Sequence, residues 1–456
     1  MKRIPTLWLG AALGIVTVSM SLAADETPSS RPALTRPEMK SRLEALKQRS
    51  PRLPLPELTE EERASGRSSV NNGRLRATYL PPSWRGFAIA GWGGSPRPTG
   101  GKNSPSPAAN STANVLRALQ QQPDYGFKTR LFWVVSRGND CQYCLGHQEL
   151  KLRKAGMTED AIASLDCRWE AFPKEEQAAL ALAKRMTLSP HQLTEADIER
   201  LKPFYDDAKI IDIAYTIARY NAVNRWTDST GIPQDKSFGG EENTKLDTTT
   251  SAEFTNVPTQ VAPVDLPIRP EWEPYDVVLR NLDAAKSRTP LVKLPSQEAA
   301  QTLLAADTPG VVPPQWFRAL SQLPVAVDAW RQRQSRVRDG LTDERLRAQI
   351  GYVSSRENRA WYAVAHARAR YLAIGGSEVD LSDFAALQQA ATKPGHAEAL
   401  RFVRKLTAAP HTIDDADVAR LRESFSDHEV AEIIDLTCDA NAFDRFTEAL
   451  RLPVEF

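Results

Sequence analysis

The chain has 456 residues, 41% hydrophobic and 25% charged, a balance that builds a sizeable core and excludes collagen-like, multispanning and wholly disordered chains. Lys and Arg number 58 against 57 Asp and Glu, so the net charge of +1 gives no global field for capturing nucleic acid or anionic lipid. Four cysteines cannot staple a chain of this length, and their role is local.

Lys2 and Arg3 lead into an apolar run from Ile4 to Ala24, and Ser21-Leu22-Ala23 sets small residues where a signal peptidase cuts. Residues 1–23 therefore read as a signal peptide cleaved after Ala23. A membrane anchor is the weaker reading, because Thr17, Ser19 and Ser21 dilute the run and no basic stop-transfer cluster follows. The expected product is exported, periplasmic or extracellular, without stable membrane insertion, and begins with a flexible segment, 24–37.

The rest of the chain repeats itself. Ser136-Arg-Gly-Asn-Asp-Cys-Gln-Tyr-Cys-Leu-Gly-His147 lies over Ser355-Arg-Glu-Asn-Arg-Ala-Trp-Tyr-Ala-Val-Ala-His366, an offset of 219. Pro190-His191 matches Pro410-His411, and Asn221-Ala-Val-Asn-Arg225 matches Asn441-Ala-Phe-Asp-Arg445, both at 220. Upstream, Leu43 to Pro51 matches Leu282 to Pro290 at 239. The difference, 239 − 219 = 20, assigns the first copy about twenty extra residues, best placed in the Gly/Pro/Ser-rich stretch Gly91–Ala109, which reads as a surface loop. The copies are 38–232 and 277–456, and the polar connection 233–276 should be extended and weakly ordered.

Helical signals follow in order. Gln148 to Gly156 ends on a glycine suited to the left-handed position after a helix. Thr158 opens the next as a cap with acidic residues behind it. Lys174–Met186 is rich in Glu, Gln, Ala and Leu, Thr194 opens a short helix, and Asp207–Trp226 is long and amphipathic. The fold expected is all-α: two tandem helical bundles.

Cys141-Gln-Tyr-Cys144 carries the obvious chemistry. Residues three apart share a helix face, close enough for two sulfurs to exchange between dithiol and disulfide. Asn139 or Asp140 would cap that helix and place Cys141 in its first turn, where unpaired N–H groups favour a thiolate. His147 shares the face and could move a proton, or serve packing through a buried hydrogen bond. A zinc site is disfavoured: Cys141, Cys144 and His147 on one helix, with Cys167 as the fourth ligand, suit a tetrahedron badly. Cys167 and Cys438 read as buried small hydrophobes, His191 and His411 as capping or loop residues, and His396 and His428 as exposed. Trp84, Trp92, Trp133 and Trp226 read as core or interface residues.

Arg-Gly-Asn-Asp-Cys141-Gln-Tyr-Cys144-Leu-Gly-His147, the following Ala-Gly-Met-Thr-Glu-Asp and Asn221-Ala-Val-Asn-Arg225 resemble the alkylhydroperoxidase D-like and carboxymuconolactone decarboxylase family. The resemblance spans about 125–232 and, through the repeat, 345–450. It implies a helical, oligomeric protein in which Cys144 attacks a peroxide and Cys141 resolves. The family's relay histidine sits four residues after the second cysteine, which here is Gln148, and its upstream Glu falls near Thr129 and Arg130. Ala360 and Ala363 replace both sulfurs in the second copy, which keeps Arg356, Asn358, Tyr362 and His366. Retention there points to architecture for Arg137, Asn139, Tyr143, Asn221 and Arg225, and to an intrachain replacement of a homodimeric contact.

Three functions stay open. The first is a thiol-dependent peroxidase acting on a small hydroperoxide and restored by a thiol reductant. The second is a decarboxylase or lactone-processing enzyme, and the third a non-catalytic exported scaffold. No flavin, haem, nucleotide or metal cofactor is expected, and no nucleic-acid partner, since neither a Gly-rich phosphate loop nor a basic-aromatic strip occurs.

Overall fold

A computed structural model describes residues 35–64, 72–81, 124–234, 251–262, 269, 271–305, 311–324, 326–327 and 340–456. The signal peptide, most of the 24–37 segment, the Gly91–Ala109 stretch, Trp84 and Trp92 lie outside the described residues. Among those described, every regular element is helical.

The first copy begins with α1 (Arg36–Ala45), opened by a capping box in which Thr35 and Glu38 satisfy each other's backbone N–H groups. It continues through α2 (Tyr125–Gly138), α3 (Gln142–Lys154), α4 (Glu159–Cys167), α5 (Lys174–Leu188) and α6 (Asp207–Thr230). Gly156 adopts φ 90° after α3, and the Thr158 hydroxyl accepts from the Ala161 N–H at 3.2 Å, the stop and start that the sequence announces.

The second copy repeats the order in α7 (Tyr275–Lys286), α8 (Glu344–Asn358), α9 (Trp361–Ala373), α10 (His396–Ala408) and α11 (Asp427–Ala449). A short 3₁₀ turn lies between the last two of these helices in each copy, Pro190–Gln192 and Pro410–Thr412. His396 departs from expectation: it is 2% exposed, with Nε2 3.0 Å from Asp343 Oδ2. Its position at the start of α10, after a left-handed Gly395, turns the ring inward. Cys438 is buried and Cys167 only half-buried, while His428 is exposed against the edge of Tyr79.

α6 and α11 make the most extensive helix pairing among the described residues. Arg219 on α6 pairs with Asp439 on α11 at 3.2 Å, and 439 − 219 = 220, so the same position of each copy meets across the seam. Arg225 Nη2 donates to the Thr407 carbonyl at 3.0 Å, and its counterpart Arg445 donates from Nε to the Met186 carbonyl at 2.9 Å. Reciprocal contacts of this kind mark an isologous interface. Residues 31–456 accordingly form one compact unit.

α1 is fastened to α3 and α4 by buried charges. Glu149 receives Arg36 Nη2 and Lys40 Nζ, each at 2.9 Å, and Trp133 Nε1 at 2.6 Å, while Arg36 Nε donates to Glu159 Oε1 at 2.7 Å. Burial pushes the Glu149 carboxyl up, and Arg36 and Lys40 more than offset it, holding the group well below the usual carboxylate range. The connection is not extended throughout. Residues 251–262 include the turn Ala252–Thr255 and dock on α4, with the Ser251 N–H on Asp160 Oδ1 at 2.8 Å and the Gln260 N–H on the Asp166 carbonyl at 2.7 Å.

Candidate active site around Cys141 and Cys144

The turn between α2 and α3 sets the sulfurs. Asp140 takes a left-handed conformation, φ 54°, while its N–H bonds the Arg137 carbonyl and the Cys141 N–H bonds the Ser136 carbonyl. This is a Schellman stop for α2. The second copy repeats it at Arg359, φ 50°, with the Ala360 N–H on the Ser355 carbonyl. The turn takes up Asn139 and Asp140, so neither caps α3. Cys141 itself occupies the cap position, so the helix starts one residue later than expected, and its side chain makes no capping hydrogen bond.

Both cysteines are free of disulfides, and their sulfurs are neighbours. They also share one hydroxyl: Thr227 Oγ1, from the last turn of α6, lies 3.1 Å from Cys141 Sγ and 3.2 Å from Cys144 Sγ. Cys141 is 0% exposed and Cys144 2%. Burial above all, then the Cys144 thiol, pushes the Cys141 thiol well up.

Charged groups close round the pair. The Asp228 carboxyl lies against Cys141 and is raised well above the carboxylate range, by burial first and then by that sulfur. Asp140, ion-paired with Arg42, is raised to about 6 because burial outweighs Arg42 and Arg137. On the far side, Lys151 faces Cys144, and burial lowers its ammonium to about 8.

His147 lies one turn beyond Cys144. Its Nδ1 is 2.8 Å from the Tyr143 carbonyl, which can only accept, so Nδ1 carries a proton. The ring stacks on Tyr143 at 4.3 Å, and the Gln234 amide lies 3.4 Å from Nδ1. In the second copy His366 stacks on Tyr362 at 4.5 Å, so this ring pair recurs without any sulfur beside it. Of the three residues picked from sequence, the structure brings Cys141 and Cys144 together and turns His147 toward Tyr143 and Gln234.

The remaining motif residues form a buried polar lattice present in both copies. Asn139 Nδ2 donates to Asn221 Oδ1 at 3.1 Å and Asn224 Oδ1 at 2.9 Å; Asn358 Nδ2 donates to Asn441 Oδ1 at 3.2 Å and Asp444 Oδ2 at 2.9 Å. Arg225 and Arg445 each return a bond to the asparagine four residues earlier. Arg137 instead pairs with Asp166 at 3.0 Å.

Thr227, Asp228 and Lys151 were missed from sequence. The repeat held the signal for two of them, since Thr227 and Asp228 align with Thr447 and Glu448 at 220. Among the described residues no group of three or more His, Cys, Asp or Glu side chains is placed to hold a metal, and no helix is long and apolar enough to cross a membrane. No protein-family model matches the chain, and no curated protein matches it.

Proposed function

We propose that the protein is a thiol-dependent peroxidase whose Cys141 and Cys144 cycle between dithiol and disulfide, in a fold of the alkylhydroperoxidase D-like type. One observation carries this reading: two free thiols that share a single hydroxyl, at 3.1 and 3.2 Å, at the start of a helix. Cys144 is the attacking sulfur, since it keeps the residual exposure and faces the Lys151 cation. It bonds to the terminal peroxide oxygen, the O–O bond breaks and an alcohol leaves. Cys141 then attacks the sulfenic acid so formed, the S–S bond closes and water leaves. An external thiol reductant returns both sulfurs to the dithiol. Export of the chain belongs to the same proposal.

The burial of both sulfurs favours a second reading, a helical scaffold without chemistry. Mass spectrometry of alkylated protein, before and after a hydroperoxide is added, separates the two. The peroxidase forms a Cys141–Cys144 disulfide within its turnover time, and Cys144→Ser abolishes it. Alkylation unchanged by peroxide leaves the scaffold.

A further inference from the structure

We propose that Asp228 is the proton-exchange group of the thiol pair, passing the Cys141 proton to the departing oxygen when the disulfide closes; this rests on the dithiol reading above. Thr227 and Asp228 adjoin in the last turn of α6, against the start of α3. Asp228 is 9% exposed, the Cys141 sulfur acts on its carboxyl more strongly than any other side chain, and its Oδ2 is buried without a hydrogen-bond partner. Burying an oxygen without a partner is costly, so its presence beside a reactive sulfur calls for a reason.

The internal repeat supplies the comparison. The matching residue is Glu448, whose carboxylate takes Arg288 Nη1 at 3.0 Å, Arg288 Nη2 at 2.9 Å and the Trp361 N–H at 3.1 Å. Arg288 matches Arg49 at the offset of 239 that relates the two upstream segments. Both copies thus keep the arginine and the acid, but the second alone closes them into a bidentate pair that also caps a helix. In the first copy the acid is one methylene shorter. Arg49 Nη2 lies 3.4 Å from the Asp228 main-chain carbonyl instead, which Arg52 also approaches. Where Ala360 stands, the acid is an ion-pair partner; where Cys141 stands, it is withdrawn from the arginine and set against the sulfur.

The groups facing Asp228 are Cys141 at the cap of α3, Asp140 from the preceding turn, and Arg49 from the segment after α1. Burial, Cys141 and Asp140 outweigh Arg49 and raise the carboxyl well above its ordinary value. During closure the Cys141 S–H and Cys144 S–O bonds break and the S–S bond forms. Cys141 is oxidised and the sulfenic sulfur is reduced. Asp228 takes the thiol proton and hands it to the hydroxide, which departs as water. Asp228 ends as it began.

The test compares the full chain with Asp228→Asn, using hydrogen peroxide and, separately, the thiol oxidant diamide. Dimedone traps sulfenic acid, and rapid alkylation with mass spectrometry follows the disulfide. In D228N, Cys144 should reach sulfenic acid at the wild-type rate and accumulate there, with closure slowed about a hundredfold. Closure with diamide should slow likewise, while Glu448→Gln should leave both rates within about twofold. D228N closing at the wild-type rate overturns the proposal. A wild type that closes with diamide but not with peroxide defeats the peroxidase reading, and the diamide rates still decide on Asp228. Closure with neither oxidant overturns both. Should D228N fail to fold, the wild-type closure step must run slower in heavy water than in light water; equal rates overturn the proposal.

Discussion

Replacing Thr227 by Val keeps the side-chain shape and removes the one hydroxyl both sulfurs share. Oγ1 spends its single proton on main-chain carbonyls, those of Val223 and Asn224 at 3.1 Å, and therefore meets the two thiols as an acceptor. Those S–H bonds exist only in the dithiol state. Thiols are weak donors, so each contributes about 0.5 kcal/mol and the pair about 1 kcal/mol in favour of the reduced form. For a two-electron couple 1.4 kcal/mol is about 30 mV, so Thr227→Val should move the potential about 20 mV more negative. Equilibration in glutathione buffers of set potential, with alkylation and mass spectrometry, reads this directly. Thr447→Val is the internal control, because Ala360 and Ala363 leave no thiol beside it. A Thr227→Val potential unmoved within about 5 mV, or moved positive, refutes the shared-acceptor geometry.

Glu149→Gln leaves the cations of Arg36 and Lys40 with Glu159 as their remaining carboxylate and should cost about 3 kcal/mol in urea unfolding; a loss below about 1 kcal/mol would mean the cluster does not fasten α1. Burial, with Arg42 and Arg225 behind it, lowers His411 from 6.5 to about 4, so the unfolded chain takes that proton first. The stability owed to neutral His411 is therefore present above pH 6.5 and drains as pH falls from 6.5 to about 4; His411→Gln should flatten that limb, and an equally steep fall counts against it. Arg219→Met and Asp439→Leu each break a buried ion pair at a cost of about 3 kcal/mol, whereas the double variant should cost less than their sum; additive costs would show the two do not couple. Intact mass of secreted protein should begin at Ala24, and a species retaining residues 1–23 rejects cleavage.

The helical class was legible because the signals were local. The start of α5 at Lys174 and of α6 at Asp207, and the glycine stop at 156, stand in the residues themselves. The end of α6 was set from afar: it runs past Trp226 to Thr230, where Gly231 turns left-handed beside the Arg52 side chain and the Arg52 N–H takes the Thr230 carbonyl. Asn139 and Asp140 read as caps because their side chains suit that role. Asn139 is drawn instead to Asn221 and Asn224, more than eighty residues away, and the cap passes to a cysteine. The sulfur pair was visible from its spacing. Its acceptor and its acid were not, since α6 delivers Thr227 and Asp228 only once the bundle has closed.

The seam between α6 and α11 has a consequence for how the halves can vary. In an assembly of identical chains each substitution is made on both sides of the join, so a site cannot be discarded on one side alone. Covalent fusion removes that constraint: Arg225 and Arg445 grip opposite halves, yet the residues at 141 and 144 are free to differ from those at 360 and 363. One half can shed its sulfurs and still serve as the wall against which the other half folds.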